Sequence, residues 1–321
     1  MTAVHAYGEA APGEGSVRVT GPDEHGVVVV EMAREHKHNA INLPMMKAMA
    51  DLFGCLGRGA GEDLPDPRGG AAGGGGGAGG ARTAARERER AAMRGRYGGV
   101  RAAVLTGAGS RSFCSGVDLT AARAVFQGDI GGDDDSPFVA LASRCAVPVV
   151  AAINGAAFTA GLELAISCDV VVAGPAASFA DTHCKYGIMP SGGASQRLPR
   201  IVGASRAKYM ALTSRPVPAA TAHQWGLANV LVPTPEEAVP AALDIARAAA
   251  SNNQAVVRGY KSNIDDGMEG TLAEGMAMEK ERAYEYYRSM PADLFERMKS
   301  FKRDSRPPAR EGGGAAPRAR L

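Results

Sequence analysis

Residues 148–193 read PVVAAINGAAFTAGLELAISCDVVVAGPAASFADTHCKYGIMPSGG. An apolar run, 147–154, ends at Asn154-Gly155 and reads as a buried strand. Small residues follow, then one acidic residue, Glu163, among apolar neighbours. A second run, Cys168 to Ala173, reads as another strand and leads to Asp181-Thr182-His183. A carboxylate in an apolar setting carries a desolvation cost. Proton transfer is one function that accounts for it, and a structural ion pair is the other. The glycine-containing turn just before Glu163 favours proton transfer.

That turn, Thr159-Ala160-Gly161-Leu162-Glu163, has a counterpart in Ser115-Gly116-Val117-Asp118. Each reads as a strand giving way to a turn and then a helix start. Backbone N–H groups at a helix N-terminus are unpaired and lie at the positive end of its dipole. Two of them converging on one point form an oxyanion hole. Either turn alone is equally a device for tight strand–helix packing.

Outward from this centre, residues 26–33 read as a strand rich in β-branched residues. Asn42 and Pro44 open a helix running to about Gly57, one as cap and the other in the first turn. Residues 100–109 read as a strand entering a glycine turn, 112–119 as a loop with a helix start, and 136–145 as a helix. From 194 to 302 the pattern is mostly helical, with apolar positions at helical spacing in LAEGMAMEKERAYEYYRSM. Between the first helix and its following strand lies a biased segment, 58–99, centred on GGAAGGGGGAGG. Polyglycine has too much chain entropy and too little apolar surface to pack. The segment therefore reads as a solvated surface insertion whose second half holds a short helix.

The chain has 321 residues, of which 45% are hydrophobic, enough to bury a sizeable core. A formal net charge of +2 neither demands nucleic acid nor excludes an anionic ligand. The five cysteines are scattered, with no CxxC and no accompanying histidine cluster, which argues against a disulfide framework or a metal site. No GxGxxG follows the first strand and no P-loop occurs, so no nucleotide cofactor is implied. No stretch reads as a signal peptide or a membrane span. The sequence ends Ala319-Arg320-Leu321, a small–basic–Leu pattern similar to a peroxisomal address, which implies an import receptor as partner.

Taken together, SFCSGVDL, INGAAFTAGLELAISCD, FADTHCKYGIMPSGG, EHKHNAIN and LTSRPVPAATAHQWGLANVLVP resemble, in order, the motifs of the enoyl-CoA hydratase/isomerase (crotonase) superfamily. The match covers about residues 17–303 apart from the insertion, and Asp181-Thr182-His183 with the peroxisomal-type ending is similar to its plant-type peroxisomal hydratase branch. The resemblance implies an α/β fold, a spiral of ββα units with a helical C-terminal oligomerisation region, assembled as homotrimers or hexamers. It implies a flexible N-terminus (1–16), a core (17–215) interrupted by 58–99, a helical region (216–303) and a disordered tail (304–321). It also implies an acyl-CoA substrate, no separate cofactor and no nucleic-acid partner.

Carried over residue by residue, the resemblance gives the N–H groups of Val117 and Ala160 to the thioester oxygen and makes Glu163 the base that activates water. Arg34, His36, Lys37, Asn39, Ala40, Gly116, Asp118, Leu119, Gly161 and Ser191 would line the substrate and CoA channel. Four positions depart from the family pattern. His183 stands where hydratases carry a second glutamate, and Ala160 replaces a glycine of the oxyanion turn. Thr120 stands where a CoA-phosphate lysine is common, and Gly192 replaces a bulky residue, which would enlarge the acyl pocket.

These features support a 2-enoyl-CoA hydratase of fatty acid β-oxidation, with Glu163 and His183 as the two proton-handling groups. His183 as a non-titrating capping residue is an equal reading, and Asp181 either orients it or caps the next turn. The alternatives are a Δ3,Δ2-enoyl-CoA isomerase, which needs one base, and a weakly active acyl-CoA-binding scaffold. A Ser-His-Asp hydrolase is excluded because no G-x-S-x-G elbow surrounds any serine.

Overall fold

The computed structural model describes residues 4–7, 15–58, 80–126, 136–141 and 145–291, with positions 294 and 298. The polyglycine stretch, positions 1–3 and 8–14, and the tail carrying Ala319-Arg320-Leu321 lie outside them.

In chain order the strands are β1 (Val4–Tyr7), β2 (Ser16–Thr20), β3 (Val27–Ala33), β4 (Ala102–Gly107), β5 (Ser112–Cys114), β6 (Val149–Ile153), β7 (Ala156–Phe158), β8 (Val170–Ala173), β9 (Ser178–Ala180), β10 (Val217–Pro218) and β11 (Val230–Leu231). The helices are α1 (Leu43–Cys55), α2 (Gly80–Tyr97), α3 (Ala122–Phe126), α4 (Pro137–Val139), α5 (Ala160–Ser167), α6 (His183–Tyr186), α7 (Ala194–Val202), α8 (Ala204–Thr213), α9 (Ala219–Gln224), α10 (Ala238–Ser251), α11 (Gln254–Gly267) and α12 (Leu272–Ser289).

Two sheets result. The larger has the order β1-β2-β3-β4-β6-β8-β11, the smaller β10-β9-β7-β5. From β3 to β11 the large sheet is parallel, and every residue of β4 and β6 is buried. Parallel strands covered on both faces read as continuous apolar runs, which is why they were visible in the sequence. On one face α10 sets Ala238, Ala242, Ala246 and Ala250, all buried, against Val104, Val150, Ala152 and Val172. Spaced four apart, the alanines form one stripe along the helix and let it approach the sheet closely.

Three expectations are corrected. The N-terminus carries a strand: β1 pairs antiparallel with β2, and Tyr7 Oη lies 3.0 Å from Tyr97 Oη. The second half of the 58–99 segment holds the expected helix, but that helix is longer than expected and is not wholly solvated. It forms the 18-residue α2, whose Met93 and Tyr97 are core residues. Its Arg90 Nε donates to the buried Asp51 at 2.6 Å, and Arg86 Nη2 donates to the same oxygen at 2.9 Å. Apolar anchors and a carboxylate partner supply what the polyglycine lacks. The core also runs past 215, because α10 seats on the sheet. The chain divides into compact units at Lys261/Ser262. Within the second unit Thr271 and Glu274 form a capping box for α12, Arg282 Nη2 pairs with Asp266 at 2.8 Å, and apolar side chains including Met276, Tyr284 and Tyr287 are exposed.

Of the helix expected over 136–145, residues 137–141 are helical and capped by Ser136, α4 being its first turn; positions 142–144 lie outside the described residues. The fold nonetheless follows the expected order. What the sequence hid was the small sheet, because strands of two or three residues are too short for a period-two pattern to register.

Candidate active site

The small sheet gathers the site. Strands β5, β7 and β9 are parallel neighbours, so their C-terminal ends open on the same edge. Those ends are Ser115-Gly116-Val117, Thr159-Ala160-Gly161 and Asp181-Thr182-His183, the three segments that carried chemistry in the sequence. The two turns touch: a methyl built on Gly116 would lie 3.4 Å from Thr159 Cβ. Gly116 has φ +115°, a region that glycine adopts freely.

Both expected oxyanion donors are available. Among the described residues the Val117 N–H donates to no backbone carbonyl. Ala160 opens α5, so its N–H has no intrahelical acceptor. The Ala160 methyl is accommodated in the core. Gly161 behind it cannot carry a side chain, since a Cβ would lie 2.0 Å from the Cys114 carbonyl oxygen. It works by letting α5 approach β5. Thr159 holds φ 52°, ψ −113°, strained for a β-branched residue. Its hydroxyl is hydrogen-bonded to that of Thr182, which ties the second turn to the third.

Glu163 sits in the first turn of α5 and is 2% exposed. Its Oε1 accepts the Gly192 N–H at 2.8 Å and the Ala194 N–H at 3.1 Å. Its Oε2 faces His183 Nε2 at 3.7 Å. Burial raises the Glu163 pKa, and the two backbone donors and His183 offset only part of that rise. Behind His183, its Nδ1 lies 2.7 Å from Asp181 Oδ1, and its backbone N–H donates to the same oxygen at 3.2 Å. Burial works against the Asp181 carboxylate too, but these bonds outweigh it and hold the pKa below the usual value. Asp181, His183 and Glu163 therefore form one buried line. Sequence reading left the role of Asp181 open, because an i, i+2 spacing fits a cap as well as a ring partner.

The expected channel residues divide. His36, Lys37, Leu119 and Ser191 are exposed, and Ala40 is half-buried. Arg34, Asn39 and Asp118 are buried structural groups rather than free channel walls. Arg34 Nη1 donates to Asp118 Oδ2 and, at 3.2 Å, to the Ala40 carbonyl. Asn39 Nδ2 donates to the carbonyls of Ala108 and Ser112 at 2.9 and 2.7 Å. Burial opposes ionisation of Asp118, but the Thr120 N–H, Arg34 and the Thr120 hydroxyl prevail and bring its pKa down to about 2. The Thr120 hydroxyl is thus turned onto Asp118. Backbone bonds from Ile41 to Gly116 and from Asp118 to Ile41, both 2.8 Å, fasten loop 34–41 along the first oxyanion turn.

Gly192 corrects another expectation. A Cβ there would lie 2.8 Å from the Glu163 carboxyl carbon and 2.8 Å from Phe138 Cγ. The glycine opens no extra space; it allows the backbone to reach Glu163. Asp169 is structural, accepting from the Val149 N–H at 2.6 Å. Among the described residues no three His, Cys, Asp or Glu groups are placed to hold a metal ion, and no helix is long and apolar enough to cross a membrane.

Residues 96–308 match the profile of the enoyl-CoA hydratase/isomerase family. The chain belongs to this family. Probable enoyl-CoA hydratase 1, peroxisomal, of Arabidopsis thaliana is 46% identical over 202 residues, covering 63% of this chain and 75% of the relative. The mitochondrial enoyl-CoA hydratase of Pongo abelii is 36% identical over 185 residues, covering 58% and 63%. The crystal structure of the enoyl-CoA hydratase of Bacillus anthracis superposes with a TM-score of 0.68 at 27% identity, over 89% of this chain and 96% of that one. As a member of the enoyl-CoA hydratase/isomerase family, the chain has the crotonase fold that its motifs implied, with parallel sheets and a helical C-terminal region.

Proposed function

We propose that the protein hydrates 2-enoyl-CoA thioesters, in fatty acid breakdown. The observation that carries this reading is a buried carboxylate, Glu163, one turn from two free backbone donors. The N–H groups of Val117 and Ala160 hold the thioester oxygen, which draws electrons from C3. Glu163 Oε2, the oxygen not used by Gly192 and Ala194, takes a proton from water as its oxygen bonds C3. The charge moves to the thioester oxygen, where preorganised donors stabilise it. C2 then takes a proton, which in this reading His183, 3.7 Å from Glu163, delivers. The exposed His36, Lys37, Leu119 and Ser191 sit on the CoA side. The names of the Arabidopsis and Pongo relatives support hydration.

The same reading puts the protein in peroxisomes, as the name of the Arabidopsis relative suggests. It makes the active form a homotrimer or a hexamer, with the exposed apolar side chains of the last helices as contact surface. Fluorescence of the tagged full chain tests the compartment, and light scattering tests the assembly.

The reaction is tested by following the conjugated thioester absorbance with crotonyl-CoA and with 3-hexenoyl-CoA. Hydration removes absorbance from the first. Isomerisation adds absorbance from the second, and that outcome makes the protein an isomerase. Binding without turnover of either makes it an acyl-CoA-binding scaffold.

A further inference from the structure

The line Asp181–His183–Glu163 has more order than a base and a histidine that happen to be close. Asp181 Oδ1 accepts the His183 backbone N–H at 3.2 Å and lies 2.7 Å from the ring Nδ1 of the same residue. An ionised carboxylate only accepts hydrogen bonds. The ring nitrogen 2.7 Å away must therefore carry a proton, which leaves Nε2 as the working nitrogen. Nε2 points at Glu163 Oε2, itself the one carboxylate oxygen that the Gly192 and Ala194 N–H groups leave open. At 3.7 Å the two atoms lie beyond hydrogen-bond length, so they face one another without being locked together.

We propose that Asp181 is a positioning residue that fixes the Nδ1–H tautomer of His183, so that His183 Nε2 serves as the second proton site of the reaction and exchanges its proton with Glu163. The proposal rests on the hydratase reading for the reaction, but its tautomer assignment rests only on the contact between the ring and an ionised Asp181. The steps balance within the pair. Water loses a proton to Glu163 Oε2 as its oxygen bonds C3, and the π electrons move onto the thioester oxygen. The proton on Glu163 passes to the bare Nε2 of the neutral ring. The carbonyl re-forms as C2 takes that proton from Nε2, which restores the Nδ1–H tautomer and the Glu163 carboxylate with one water added. Where two carboxylates would face the substrate, a carboxylate and a carboxylate-backed imidazole do the same work. The imidazole alone rotates and tautomerises; Asp181 removes both freedoms.

The test uses the full chain with 15N-labelled histidine. In alkaline buffer, where imidazoles are neutral, the resonances lost in His183→Gln are those of this ring, and the expected pattern is a protonated Nδ1 and a bare Nε2. A proton on Nε2 overturns the proposal. This readout needs no activity and no Asp181 variant, so it decides even if Asp181→Asn folds poorly. In turnover of crotonyl-CoA, Asp181→Asn should lose about 10²-fold in kcat, at the low end of what a positioned acid or base contributes, with KM within about threefold. The double variant Asp181→Asn/His183→Gln should be no slower than His183→Gln alone, since groups acting as a unit are non-additive. Fully additive losses, or an Asp181→Asn variant as fast as wild type, also overturn it. A wild-type chain that does not hydrate crotonyl-CoA refutes the hydratase reading and leaves the tautomer result standing on its own.

Discussion

Glu163 and Gly192 are joined by a hydrogen bond of 2.8 Å from the glycine N–H to Oε1, at a point where the glycine has no room for a side chain. The bond orients the Glu163 carboxylate, and the missing Cβ is what allows it. Gly192→Ala should cost about 1–3 kcal/mol of stability through overpacking against Phe138 and the Glu163 carboxyl. It should lower kcat more than it raises KM. Melting curves and crotonyl-CoA kinetics measured together check both, and an alanine variant of normal rate means the carboxylate tolerates displacement.

Glu163→Gln keeps an oxygen for the Gly192 and Ala194 donors but cannot take a proton. Loss of kcat of about 10²–10⁴-fold is expected with the fold intact. Steady-state rates beside a circular dichroism spectrum separate a lost base from a lost fold.

The same substitution has a pH signature in stability. Burial raises the Glu163 pKa above its ordinary 4.5, so the folded chain holds that proton more tightly than the unfolded chain. The stability this gives is fully present below pH 4.5 and is lost as pH rises through the higher folded value. Glu163→Gln should therefore melt higher than wild type at pH 8 and lose this advantage at acidic pH. Equal melting temperatures across the range would show that the carboxylate is not penalised by burial.

Arg34 and Asp118 form a buried pair beside the turn Ser115-Gly116-Val117. Arg34→Met leaves Asp118 unpaired and should destabilise the chain by about 3–5 kcal/mol, the cost of breaking rather than replacing a buried pair. The pair's own pH window is acidic. With the Asp118 pKa lowered from 3.8 to about 2, its contribution is present above pH 3.8 and disappears as pH falls toward 2. Denaturant titrations of wild type and Arg34→Met should converge over that interval.

Much of this was legible in the sequence where burial leaves long apolar runs, as in β4 and β6, or where a cap leaves its mark, as at Asn42. The motifs carrying Val117, Ala160 and Glu163 were legible as well, and β5 and β7 bring them together. Relations that depend on distant segments were not. Asn39 looks like a loop asparagine until residues 108 and 112 present their carbonyls to it. The second half of 58–99 read as solvated, because nothing local to its arginines reveals Asp51, 35 residues from Arg86. Gly192 was misread for the same reason: the Glu163 carboxylate that excludes its side chain lies 29 residues away.

The central claim is that Glu163 directs the oxygen of water to C3 of a 2-enoyl-CoA. Incubating wild type and Glu163→Gln with crotonyl-CoA in 18O-labelled water and weighing the products tests it directly. The account predicts 3-hydroxybutyryl-CoA carrying one heavy oxygen on C3 from wild type, and almost none from the variant. Label appearing in a free carboxylate, or crotonyl-CoA recovered unchanged from wild type, would contradict it.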